Sequence, residues 1–166
     1  MNLRRLLYAG FSLLLFGTQA SFAETNSVST KGPYPAQLEL FWAGLPGLNF
    51  CSVKWDGKSL TYEQRFKAKK QRVEITPTAE QWTRFWAKMD EVGVWCWQKR
   101  YDNPPVMDGA VWNLKMEHGT NKVRCSGSNA YPGDKGANVP SISPTQMFLK
   151  YQEAVEALIG RKLWAQ

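Results

Sequence analysis

Residues Phe50 to Phe66, FCSVKWDGKSLTYEQRF, decide the fold. Two β-prone runs, Phe50 to Trp55 and Leu60 to Phe66, flank Asp56-Gly57. An Asp-Gly pair between extended runs predicts a hairpin, because a type I′ turn needs positive φ at both central positions. Upstream, Leu38-Glu39-Leu40-Phe41-Trp42 reads as another strand, ended by Gly44-Leu45-Pro46-Gly47. Downstream, Thr76-Pro77-Thr78-Ala79-Glu80-Gln81 opens a helix: Thr78 with Gln81 fits a capping box, or Thr76 caps with Pro77 at the first helical position. Trp82, Phe85, Trp86 and Met89 form one apolar stripe at i, i+3, i+4 and i+7, and Gly93 ends it.

The second half has the same kinds of element. Val94-Trp95-Cys96-Trp97 is β-prone and reads as a short strand. Lys99 to Ala110 (KRYDNPPVMDGA) is a loop, and Val111 to Glu117 with Thr120 to Ser126 predicts a second hairpin around His118-Gly119. A long Gly- and Pro-rich loop, Gly127 to Ile142, leads to a helix opened by Ser143-Pro144-Thr145-Gln146, with the stripe Phe148, Tyr151, Val155, Leu158 and an end at Gly160. Strands followed by a helix, twice, predict an α+β domain over residues 37–166: an antiparallel sheet of two hairpins plus short strands, both helices on one face. The sixteen-residue spacing from Pro77 to Gly93 recurs from Pro144 to Gly160, as a duplicated ββα unit would give. Aligning those prolines, however, sets Phe85 and Trp86 on Gln152 and Glu153, so the stripes do not superpose.

At the N-terminus, Arg4 and Arg5 precede the apolar run Leu6 to Phe16, and Ala20-Ser21-Phe22-Ala23 offers small residues where a signal peptidase reads. That predicts a secretory signal over residues 1–23 cleaved after Ala23, with the protein periplasmic or secreted. A membrane-spanning helix needs about 20 apolar residues, and Gly17, Thr18 and Gln19 interrupt the run first. Residues 24–36 read as a loose polar leader. The formal charge of the chain is +7, and removing Arg4 and Arg5 leaves +5. This balance favours an anionic partner, an unknown protein or an envelope polymer, and outside the cytoplasm it argues against nucleic acid. Cys51, Cys96 and Cys125 lie beyond the cleavage point. An oxidising compartment predicts one disulfide, with any of three pairings open.

Catalytic and cofactor motifs are absent from the sequence. His118 is the only histidine, expected in a solvent-exposed hairpin turn, and no ligand spacing for zinc surrounds it. Asp102, Asp108 and Glu117 are the carboxylates a small envelope hydrolase would need. The eight tryptophans fall mainly on helix stripes and strand faces, where aromatics build cores, although flat faces could also stack on sugars. The run Arg65-Phe66-Lys67-Ala68-Lys69-Lys70-Gln71-Arg72 is the densest charge cluster. On one extended strand, Arg65, Lys67 and Lys69 would point together, either guarding an edge or, with Lys70 and Arg72, meeting an anionic surface as a structural protein would.

Long loops in compact domains are often binding loops. With no catalytic spacing present, the sequence therefore reads as a non-enzymatic exported binding module, of inhibitor or immunity type. Its partner contacts are expected at Asn129, Tyr131, Tyr101 and Asp108. Asp108-Gly109, Trp112, the stretch Gly127-Ser128-Asn129-Ala130-Tyr131-Pro132 and the closing Phe148/Tyr151 helix resemble a pattern in uncharacterised bacterial exported proteins. The resemblance spans about the last 60 residues and implies no activity and no functional residue.

Overall fold

A computed structural model describes residues 32–44, 49–106 and 108–163. The expected signal segment, residues 1–23, lies outside them. Strand β1 is Gln37–Ala43, and the central hairpin forms where the sequence places it, β2 at Phe50–Trp55 and β3 at Leu60–Phe66. The turn between them is wider than a two-residue I′ turn. Asp56 Oδ1 accepts from the backbone N–H of Lys58 and of Ser59, and Gly57 alone takes positive φ. Those same bonds hold the Asp56 carboxyl below its usual range.

The basic run is not one strand. It turns at Lys67-Ala68, both at positive φ (45° and 66°), and returns as β4, Lys69–Ile75, with Phe66 opposite Lys69 and Arg65 opposite Lys70. Neither residue is a turn-former by type, which hid this hairpin in the sequence. The backbone N–H of Lys67 donates to Asn49 Oδ1 and anchors the turn.

Helix α1, Ala79–Val92, carries the capping box of Thr78 and Gln81 and ends on left-handed Gly93. Val94–Cys96 then forms a single 3₁₀ turn instead of the expected strand. The chain leaving left-handed Gly93 re-enters helical geometry at once, with the N–H of Cys96 bonded to the Gly93 carbonyl. A short strand β5, Arg100–Asp102, precedes β6, Val111–His118, and β7, Asn121–Ser128. The loop over residues 127–142 contains structure of its own: β8, Ala130–Pro132, pairs with β9, Asn138–Pro140, in a separate two-stranded ribbon. Helix α2, Gln146–Ile159, is capped by Thr145, two residues beyond the expected Ser143, because Pro132 supplies a carbonyl for the Thr145 hydroxyl to donate to.

The main sheet has the order β4-β3-β2-β1-β6-β7-β5, antiparallel except for β5 beside β7. The fold is α+β. Alternation along the strands sends Leu38, Leu40, Trp42, Val53, Leu60, Tyr62, Trp112, Leu114 and Met116 to one face. There they meet the stripes of α1 (Trp82, Phe85, Trp86, Met89) and α2 (Phe148, Tyr151, Val155, Leu158) in a single core. Among the described residues no helix lies on the opposite face of the sheet. The described end of the expected loose leader, from residue 32, is docked. Tyr34 stacks on Trp55, the Pro33 carbonyl accepts from Trp86 Nε1, and Pro35 is buried.

Candidate functional site

The two loops flagged in the sequence converge at one end of the sheet, and Asn129 joins them. At φ 49°, a left-handed conformation that asparagine tolerates better than most residues, its side chain turns inward. Oδ1 accepts from the N–H of Ala110, while Nδ2 donates to the carbonyls of Val106 and Asp108. Its own carbonyl accepts from the N–H of Ser141. Asn138 Nδ2 donates to the Asp102 carbonyl, tying β9 to the shorter loop. Tyr101 makes a further brace: its hydroxyl accepts from the Gln98 N–H and donates to the Gly136 carbonyl. Burial pushes that hydroxyl up to about 12, so it stays a proton donor at neutral pH. Trp112 Nε1 donates to the Ala130 carbonyl, and its indole lies so close to Gly127 that a Cβ there would overlap it.

This geometry corrects three of the four expected contact residues. Asn129 is 1 % exposed, Tyr131 3 % and Tyr101 0 %. Asn129 and Tyr101 brace the loops from within by hydrogen bonds, and Tyr131 packs against Trp112 and Phe148. Asp108 is the exposed member of the set. The residues that do reach solvent were missed: Ile142, at 75 % exposure, and Val111, at 43 %. Both border a cleft of about 190 Å³ whose floor is Trp42, Trp112, Tyr131 and Phe148. The buried Trp42 indole N–H has no hydrogen-bond partner among the described residues. One signal for Ile142 was present in the sequence, a large aliphatic residue among Ser and Pro at the end of a Gly- and Pro-rich loop.

The other candidates are dispersed. Asp108 precedes β6 and Glu117 lies at its far end. Six residues at about 3.4 Å each separate Val111 from Glu117 by roughly 20 Å, beyond the carboxylate pairing of glycoside hydrolysis. Asp102 is paired with Arg100, and Glu117 with Lys122. His118 is not in the turn but in β6, 7 % exposed, stacked on Trp86 with ring centroids 4.1 Å apart, its Nε2 2.9 Å from the Gly32 carbonyl.

All three cysteines are free, which corrects the expected disulfide. Cys51 on β2 and Cys125 on β7 are separated by β1 and β6, three strand spacings or about 14 Å. A bridge needs Cα atoms within about 7 Å. Burial pushes both thiols up to about 12, so they pack as small apolar groups, and Cys96 alone is exposed.

In the basic run, Arg65, Lys70 and Arg72 share the helix-free face of the sheet, with Lys70 paired to Glu63. Lys67 sits in the turn, and Lys69 falls in register with Phe66 on the other side. The expected alignment of Arg65, Lys67 and Lys69 is therefore broken by the turn. Strand β4 is an edge of the sheet, where exposed lysines discourage pairing with another chain. Among the described residues no group of histidine, cysteine and carboxylate side chains could hold a metal ion, and no helix is long and apolar enough to cross a membrane. Comparison with known proteins found no matching family model, no matching curated protein and no matching solved structure.

Proposed function

We propose that this α+β protein is a non-enzymatic, exported binding module that takes a protein partner at the loop end of its sheet, as an inhibitor or immunity-type protein does. One observation carries the reading: the loops over residues 103–110 and 127–142 are locked together by the buried Asn129 amide, and this locked end presents Ile142 and Val111 beside an apolar cleft. Fixing loops before contact lowers the entropy lost on binding. A large exposed aliphatic residue over a pocket of aromatic side chains is the composition of a central anchor.

The test is affinity capture from envelope extract with the wild-type chain and with Ile142→Asp. Wild type should return a stoichiometric protein, and the variant should bind it at least about tenfold more weakly, the loss expected when a charge replaces an apolar anchor. Ile142 is exposed, so the variant keeps its fold and its unfolding midpoint. Equal capture by both proteins would remove the loop end from consideration.

A further inference from the structure

The helix-free face of the sheet holds a second feature, remote in character from the apolar cleft. A recess of about 520 Å³ is lined by Lys99, Lys115, Arg124, Asn113, Ser126 and Glu39. Lys115 and Arg124 are direct cross-strand partners in the β6–β7 pair. Like charges placed directly opposite each other weaken a sheet. Lys99 is laid beside β7 by the bond from the Ser126 N–H to its carbonyl, so cations occupy three neighbouring chain segments spaced about 4.8 Å apart. The neighbouring carboxylate, Glu39, lies opposite Lys115 in register but forms no ion pair with it; it accepts from Gln37 Nε2 instead. Lys70, Lys122 and Arg100, elsewhere on the sheet, each have an acidic partner, and Lys99, Lys115 and Arg124 have none among the described residues. Asn113 and Ser126, themselves cross-strand partners, add neutral donors at the next rung.

We propose that this recess binds a compact, multiply charged phosphate group, such as a diphosphate, with Lys99, Lys115 and Arg124 neutralising it and Asn113 and Ser126 completing its hydrogen bonds. The charge complementarity is specific. Two opposed cations that repel each other in the free sheet become mutually compatible once an oxyanion lies between them, and charge-assisted bonds to phosphate are the strong class of hydrogen bond. The site is independent of the loop end and stands or falls separately from it.

Calorimetric titration of the purified chain with inorganic pyrophosphate, against sodium chloride of matched ionic strength, tests the assignment. Saturable one-to-one binding is expected, weakened at least about tenfold in Lys115→Gln/Arg124→Gln by loss of two charge-assisted contacts. Lys70→Gln/Arg72→Gln, on the same face but outside the recess, should bind as wild type does. The double variant in the recess should also unfold at a higher temperature than wild type without ligand, because it removes the opposed charges. Absence of saturable binding overturns the proposal. So does equal weakening in both double variants, which would mark a diffuse basic surface, of the kind that rests on an anionic polymer, and not a site.

Discussion

Asn129 shows how much a single side chain can hold. Its amide satisfies one N–H and two carbonyls from the neighbouring loop while its own backbone is left-handed. Asn129→Ala leaves those groups unpartnered and replaces asparagine, which tolerates the left-handed conformation, by a residue that tolerates it less well, so urea denaturation should show a loss of about 3 kcal/mol. Asn129→Asp keeps the acceptor but sets a buried carboxylate against the Val106 and Asp108 carbonyls, and should lose at least as much. Cys51 and Cys125 set a second residue-scale expectation. Their thiols are pushed up from 9.0 to about 12 in the folded protein by burial. The unfolded chain therefore loses these protons first as pH rises. Their contribution to stability is intact below about pH 9 and declines from there toward pH 12. Urea midpoints at about pH 8 and about pH 10 should differ in that direction. Cys125→Ala, with one titrating group fewer, should show a shallower decline from a lower starting stability.

At the scale of elements, the β3–β4 hairpin is the one the sequence concealed. Asp-Gly advertises a turn; Lys67-Ala68 does not, since neither residue favours positive φ. The register of β3 with β4 and the anchor at Asn49 impose the conformation on it. Ala68→Gly removes the Cβ from a left-handed position and should stabilise the protein by about 1 kcal/mol, read from the shift in urea midpoint. Helix α1 was legible, with its start narrowed to Thr76 or Thr78 and its end at Gly93, because its cap, stripe and terminating glycine are all local. The cap of α2 was displaced by a tertiary bond to Pro132, and the segment over residues 94–97 became a 3₁₀ turn against its β propensity. The first is a tertiary contact outweighing a local preference; the second follows from left-handed Gly93, which returns the chain at once to helical geometry.

For the whole molecule, the arrangement leaves two surfaces of different character. Both helices cover one face of the sheet, the other face carries charged and polar side chains together with the stacked Phe41 and Phe50, and the loops over residues 103–110 and 127–142 meet at one end. The compartment decides which partners these surfaces can meet, and the proposed export is tested by mass. Purified envelope material should give an intact mass for a chain beginning at Glu24, the residue after the expected cleavage point. A mass that includes Met1 would place the protein, and every partner considered for it, in a different compartment.

The amino-acid order alone determined the fold class, the central hairpin, both helices and the apolar positions that meet in the core. Those properties follow from periodicity, caps and turn residues within a few positions of one another. Only the tertiary structure decided that Asn129, Tyr131 and Tyr101 face inward, that Ile142 faces outward, that the thiols stay apart and that Lys115 opposes Arg124. Burial and cross-strand register are set by which segments pack together, and no short stretch of chain contains that information.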